Sequence, residues 1–173
     1  VRGGAREGAW ANAGRVIDAR GMYVIPGMVD THGHNGDPDK APQPSYGFKL
    51  WLAHGVTTVR GVGFGWGQGD PSLDQKRRSE ANTIVAPRLY AYAVPGDVWP
   101  NGAVDTPAKG REWARWIKAR GYDGVKFFNS ESPEVLAAIL SEAETLGLGT
   151  VAHLGQRGVA QVNARKAVEL GLD

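Results

Sequence analysis

The stretch Val24-Ile25-Pro26-Gly27-Met28-Val29-Asp30-Thr31-His32-Gly33-His34 decides how the rest of the chain is interpreted. Its first half, Val24–Val29, is short, apolar and rich in β-branched residues, which predicts a buried strand. Side chains at positions i and i+2 of an extended chain point to the same side, so His32 and His34 can reach one metal ion together. Two histidines in a glycine-rich loop are also common as plain hydrogen-bonded loop residues. The motif alone leaves both interpretations open.

The composition is that of an ordinary globular chain, large enough for one domain with a core. Of 173 residues, 42% are hydrophobic and 22% are charged, and the formal net charge is +2. The absence of cysteine excludes disulfides, thiolate metal ligands and a cysteine nucleophile. The tight basic cluster at 76–78 has no interleaved aromatic residues, so we expect a solvated helix face and no nucleic-acid partner.

No apolar run approaches the roughly 20 residues that cross a bilayer, so no membrane partner is expected. We expect a soluble protein. The compartment, cytoplasmic or periplasmic or secreted, stays open because the first residue is Val1 rather than methionine.

Strand-like and helix-like segments alternate along the chain. After the histidine strand, apolar and β-branched runs predict strands at Val56–Val59, Arg88–Tyr92, Gly124–Phe128 and Gly149–His153. Helical patterns begin at Ser45, Asp70, Thr106, Ser132 and about Val159. Five strands alternating with five helices predict a parallel sheet with crossover helices, either an open doubly wound sheet or a (β/α)8 barrel. A further short strand is expected at Gly14–Ala19.

Candidate metal-binding residues fall at or near the ends of the predicted strands. His32 and His34 follow strand one, Lys126 lies in strand four, and His153 ends strand five. In a (β/α)8 barrel the carboxyl ends of the strands converge on one mouth, where such barrels place their active sites. Lys126 is either a structural lysine that reaches a carboxylate or a neutral amine with a depressed pKa, and its apolar strand leaves these two alternatives even. His54, at a helix end, is interpreted as a surface residue.

On these residues the chain resembles the amidohydrolase superfamily of metal-dependent hydrolases. The resemblance is carried by the Pro-Gly-x-x-Asp-x-His-x-His signature at 26–34, preceded by Val16–Ala19 and followed by Gly55–Arg60, Asp123–Lys126 and Val151–His153. It covers about residues 14–173 and is most similar to the imidazolonepropionase-like and imidodipeptidase-like branch. It implies an α/β fold: residues 21–173 as a partial (β/α)8 TIM barrel with strands 1–5 of 8, after a remnant of a small N-terminal β-sandwich domain at residues 1–20.

The resemblance also implies a metal centre with one or two divalent ions, zinc by expectation. His32 and His34 would bind the more buried ion and His153 the second. Lys126, carboxylated by carbon dioxide, would bridge them as a carbamate. Asp30 would orient the histidine loop rather than bind metal. The implied activity is hydrolysis of an amide-type carbon–nitrogen bond in a small-molecule substrate by a metal-activated water, and the complete protein is expected to be a homo-oligomer.

Two parts of the family's site are expected beyond Asp173: a histidine after strand six, and the aspartate after strand eight that takes the proton from the attacking water. We therefore expect an N-terminal fragment that is inactive by itself. The alternatives are a non-catalytic relative that serves as an assembly scaffold, and an open α/β binding domain that ends here. Trp66, Tyr92 and Trp99 are expected near the mouth, where they would line an aromatic pocket or pack the loops.

Overall fold

The computed structural model describes residues 14–34, 44–62, 69–97, 99–128, 131–154 and 161–173, and within them five strands alternate with five helices. The strands are β1 (Met28–Gly33), β2 (Val56–Val62), β3 (Arg88–Ala93), β4 (Gly124–Phe127) and β5 (Gly149–Ala152). The helices are α1 (Pro44–Ala53), α2 (Gly69–Glu80), α3 (Pro107–Arg120), α4 (Pro133–Leu146) and α5 (Ala164–Glu169).

The five strands form one parallel sheet whose spatial order equals the order in the chain, β1-β2-β3-β4-β5. Each connection therefore leads to the adjacent strand, always in the same direction across the sheet. A doubly wound sheet reverses its strand order at a switch point, and this sheet has no reversal. The architecture is a five-strand arc of a TIM barrel, which confirms the predicted fold class and decides between the two architectures.

Helices α3 and α4 begin and end where their capping residues predict. Thr106 and Ser132 precede the helices in extended conformation, and each hydroxyl accepts a hydrogen bond from the backbone N–H three residues later. Each helix has proline in its first turn and ends at a glycine in the left-handed conformation, Gly121 with φ 96° and Gly147 with φ 61°. These two helices pack against the outer face of the sheet at β3 and β4.

The main hydrophobic core lies between the sheet and these helices. Successive side chains of a strand point to opposite faces, so Val125 and Phe127 of β4 pack outward among the helices while Gly124 and Lys126 face the concave side. The largest side chains of this core that are under 2% exposed are Trp113, Ile117, Phe127, Ile139 and Leu140. The outer face of β4 is therefore sealed, and the chemistry is left to the concave face.

The side chain of Tyr92 in β3 reaches across β4 to β5 on the concave face. Gly124 and Gly149 are register partners in β4 and β5. A Cβ atom at either glycine would collide with the Tyr92 ring or hydroxyl, so the glycine pair leaves the space that this ring occupies. Burial raises the pKa of the Tyr92 hydroxyl. Tyr92 thus lies near the carboxyl end of β3 and faces the concave side, with its ring over the glycine pair.

The amino-terminal residues differ from the prediction. The strand that carries the histidines is Met28–Gly33 rather than Val24–Val29, and Val24 and Ile25 are 78% and 76% exposed. Pro26 has no amide hydrogen for a ladder, and β1 is the edge of the described sheet, so the residues before Met28 stay outside it. Residues 14–19 form no strand either. Residues 1–13 lie outside the described ranges, and the division at residue 20 stays a prediction.

The last helix is shorter than predicted, because it begins at Ala164 with Asn163 as its cap. Val159, its expected start, lies outside the described residues. None of the helices in the described part of the chain combines the length and the apolar character needed to cross a bilayer.

Candidate metal centre

Three histidines and one lysine meet on the concave side of the sheet, toward the carboxyl ends of its strands. His32 lies in β1 and His34 directly follows it, Lys126 lies in β4, and His153 directly follows β5. The ring centroid of His32 is 5.2 Å from that of His34 and 4.7 Å from that of His153. Nζ of Lys126 is 3.4 Å from Nε2 of His32. The structure therefore brings together all four residues that the sequence selected as metal ligands.

Lys126 is buried without a carboxylate partner among the described residues. Its side chain is 0% exposed, and Nζ contacts the His32 imidazole and lies 4.9 Å from the centroid of the Phe128 ring. Burial, followed by the positive charge of Arg60, lowers the pKa of Lys126 to about 8. The structural alternative, a lysine paired with an acid, is not what the described contacts show. This amine loses its proton far more readily than an exposed lysine does.

Two of the histidines, His32 and His153, favour their neutral form. Burial lowers the pKa of His32 and of His153, and the nearby charge of Lys126 lowers both further. Neutral imidazole is the form that binds a metal ion. The surroundings of these two side chains therefore favour the uncharged imidazole.

Asp30 lies in β1 and connects this strand to helix α1 through its carboxylate. Its Oδ1 accepts a hydrogen bond from the backbone N–H of His32 at 3.0 Å, and its Oδ2 accepts one from Nε1 of Trp51 at 3.2 Å. A Cβ at Gly33 would collide with Val59 and would lie 2.8 Å from the Trp51 ring, so glycine is required between the two histidines. Asp30 orients the backbone of the histidine strand, as the resemblance implied.

Arg60 and Trp51 support the site, and the sequence analysis did not assign them to it. Nε of Arg60 donates to the carbonyl oxygen of Thr31 at 2.7 Å, and its guanidinium carbon lies 5.5 Å from the centroid of Tyr92. The alternation of β2 carried a usable signal for Arg60: Val59 packs outward, so its neighbour must face the concave side. Nothing in the local sequence pairs Trp51 with Asp30.

The donor set fits a divalent metal under one condition. Within the described ranges, no three histidine, aspartate or glutamate side chains stand close enough to hold one ion by themselves. A protonated Lys126 would repel a cation, whereas a carbamate on the same nitrogen would present anionic oxygens to it. The three imidazoles around a buried, easily deprotonated amine therefore have the chemistry of a metal site once Lys126 has lost its proton.

Other candidates from the sequence lie outside this cluster. Nδ1 of His54 is 2.8 Å from the carbonyl oxygen of Leu50, and His54 and His34 both line a cavity of about 270 Å³ beside α1. Trp99 is 6% exposed and packs in the main core, which supports loop packing over a role in a pocket. Trp66 lies outside the described residues.

The chain is similar in sequence to two curated enzymes. It is 28% identical over 175 residues to an allantoinase of Rubrobacter xylanophilus, covering 96% of this chain and 36% of that one. It is 27% identical over 166 residues to a dihydroorotase of Pelotomaculum thermopropionicum, covering 90% of this chain and 36% of that one. The chain therefore spans about a third of the length of these relatives. No protein-family model matches it.

Among solved structures, a Xaa-Pro dipeptidase with methionine bound in its active site has the same fold. It matches with a TM-score of 0.65 at 20% identity, over 86% of this chain and 47% of that one. The strand order, the histidine signature at the mouth and the sequence similarity to amidohydrolases agree with one another. These findings support the resemblance to the amidohydrolase superfamily that the sequence motifs carry.

Proposed function

We propose that this chain supplies metal-binding residues to the active site of an amidohydrolase that cleaves an amide-type carbon–nitrogen bond in a small molecule. One observation carries the proposal: His32, which contacts the buried amine of Lys126, has His34 from the same strand end and His153 from a distant part of the chain beside it. An ion pair or a hydrogen-bonded loop explains neither the burial of that amine nor the three imidazoles around it.

The roles of the four residues follow from their chemistry. His32 and His34 would hold one divalent ion, His153 a second, and Lys126 would bridge the two as a carbamate; we expect zinc. A divalent ion there would polarise the scissile carbonyl and acidify the attacking water. The Lys126 amine, when neutral, adds to the carbon of carbon dioxide and loses one proton to solvent, which leaves an anionic carbamate. Its lowered pKa, about 8, makes this addition accessible near neutral pH.

Proton transfer is a function that the described part of the cluster lacks. Asp30 is the carboxylate beside the histidine strand, and both of its oxygens already accept hydrogen bonds, from His32 and from Trp51. It is therefore poorly placed to take a proton from water. We propose that this chain alone has no hydrolase activity, and that the acceptor and the homo-oligomeric state belong to a longer protein. Turnover of a cyclic amide or a dipeptide by the purified chain would contradict this.

Metal analysis together with a carbamate signal tests the proposal. The chain is loaded with Zn²⁺ in ¹³C-bicarbonate buffer, dialysed, and analysed for zinc by mass spectrometry and for carbamate by ¹³C NMR. We expect bound zinc and a carbamate resonance, both lost in Lys126→Ala. Lys118→Ala, which alters an exposed lysine on α3, is the control and should retain both. A native chain that binds neither zinc nor manganese would favour the non-catalytic scaffold.

A further inference from the structure

The ladder between β1 and β2 is interrupted at the first histidine. Asp30 pairs with Val59 and Gly33 pairs with Gly61, so three steps along β1 correspond to two along β2. Thr31 and His32 have no register partner in between. An extra residue in one strand is a β-bulge, and bulges beside active sites change the direction in which a side chain points.

Side chains hold the backbone at this bulge. The N–H of His32 donates to the Asp30 carboxylate at 3.0 Å. The carbonyl oxygen of Thr31, which belongs to the same peptide group, accepts from Nε of Arg60 at 2.7 Å. Both polar atoms of the Thr31–His32 peptide are thus fixed by side chains, one on its own strand and one on β2. A peptide held at both ends cannot rotate freely, and this peptide sets the direction of the His32 side chain.

Arg60 is itself held in one orientation. Its guanidinium lies over the ring of Tyr92, with 5.5 Å between the guanidinium carbon and the ring centroid. The Tyr92 ring is in turn seated in the space left by Gly124 and Gly149. A planar guanidinium can stack on a ring and donate from its edge at the same time, which the ammonium of a lysine cannot do.

We propose that Arg60 is a positioning residue of the metal centre: it fixes the Thr31–His32 peptide at the bulge and so directs the His32 imidazole toward Lys126. The effect of Arg60 on metal binding rests on the proposed function, whereas its hydrogen bond to Thr31 exists without metal.

A purely electrostatic role of Arg60 is the alternative to positioning. A positive charge near a cation site also repels the ion, so an Arg60 that acted through its charge alone would weaken metal binding.

The two roles predict opposite results for Arg60→Met when the chain is titrated with Co²⁺. Binding is monitored through the visible absorption of the bound Co²⁺. If Arg60 positions His32, the variant binds Co²⁺ at least about 10-fold more weakly and its absorption bands shift, since partners that orient metal ligands typically contribute 10- to 100-fold to affinity. Arg60→Lys keeps the charge and should weaken binding in the same direction. Arg88→Met removes an exposed arginine from β3 and serves as the control, with affinity and bands unchanged.

Backbone amide exchange of His32 in the metal-free chain is the second measurement. We expect the His32 amide to exchange at least about 10-fold faster in Arg60→Met and Arg60→Lys than in the unaltered chain or in Arg88→Met. Unchanged exchange together with tighter Co²⁺ binding would overturn the proposal and leave the metal centre intact. An unaltered chain that binds no Co²⁺ but shows the exchange effect would remove the proposed function and leave the positioning role. If Arg60→Met does not fold, Arg60→Lys decides between these outcomes.

Discussion

Nζ of Lys126 lies 3.4 Å from Nε2 of His32, although 94 residues separate the two in the chain. Their strands, β4 and β1, are not neighbours, because β2 and β3 lie between them. In a flat sheet those two strands would be about 14 Å apart, and side chains that stand perpendicular to the sheet would not meet. The contact exists because the sheet curves toward one side. The curvature of the sheet is therefore what brings the residues of the site together.

Replacing Lys126 by methionine should remove a pH dependence of stability from the metal-free chain. Burial and Arg60 lower the pKa of Lys126 from 10.5 to about 8 in the folded chain. Between these two values the unfolded chain binds more protons, so the free energy of unfolding rises as the pH increases from about 8 to about 10.5. The full rise is on the order of 3 kcal/mol. Urea denaturation across this range, with carbon dioxide excluded, measures it.

The control for this experiment is Lys118→Met, because Lys118 is exposed on α3. It should keep the pH dependence of the unaltered chain, while Lys126→Met should show a flatter dependence and a higher stability near neutral pH. Identical slopes in both variants would contradict the lowered pKa of Lys126.

Adding one methyl group at Gly33 should destabilise the chain. A Cβ there would collide with Val59 and would lie 2.8 Å from the Trp51 ring, so α1 and β1 must separate. We expect Gly33→Ala to lower the free energy of unfolding by about 1–3 kcal/mol, the usual cost of overpacking. Gly14→Ala is the matched control, since a Cβ at that position meets nothing within 4 Å. Equal denaturation midpoints for the two variants would show that the histidine strand does not pack against Trp51 as described.

The packing of Tyr92 over the glycine pair predicts that a smaller residue at 92 restores stability lost by a substitution at 149. Gly149→Ala should destabilise the chain by about 1–3 kcal/mol, because its Cβ would collide with the Tyr92 hydroxyl. In a Tyr92→Leu background the same change should cost much less, since the hydroxyl is gone, and a double-mutant cycle measures the difference. Gly124→Ala is the contrast: its Cβ also meets the backbone carbonyl of Gly149, so Tyr92→Leu should not rescue it. Rescue of both glycines, or of neither, would refute this packing.

Removing the N-caps of α3 and α4 should lower the free energy of unfolding by less than the glycine substitutions do. Thr106→Ala and Ser132→Ala each delete the hydroxyl that accepts an N–H at a helix start, and each should cost about 1 kcal/mol. Ser141→Ala, at an exposed position inside α4, should cost little. Thermal or urea denaturation compares the three variants. A serine-to-alanine effect at position 141 as large as that at position 132 would count against the caps.

Local chemistry made much of this fold predictable. The bounds of α3 and α4 follow from Thr106, Ser132, Gly121 and Gly147, whose effects act within one turn of a helix. Lys126 attracted notice because an amine in an apolar strand requires an explanation, and its burial is confirmed. Properties that reach only a few residues along the chain can be derived from the sequence without knowing what lies across the sheet.

The errors concern contacts between distant residues. Val24 and Ile25 have the composition of a buried strand, but an extended apolar segment is buried only where another layer covers it, and here they are exposed. The packing of Tyr92 could not be predicted, because nothing in its own strand shows that two glycines in other strands leave room for its ring. Arg60 was missed as a site residue for a similar reason, since its role depends on a bulge in the register of β1 against β2.

The seating of Tyr92 on Gly124 and Gly149 has an evolutionary consequence. Positions 92 and 149 should covary among homologues, because a side chain at 149 is compatible only with a smaller residue at 92. Homologues that lose the aromatic ring should therefore be the ones that tolerate alanine or serine at 149, while the lineage that keeps tyrosine should retain glycine there. Mutational drift at these sites would proceed in a fixed order, with the ring lost before the glycine.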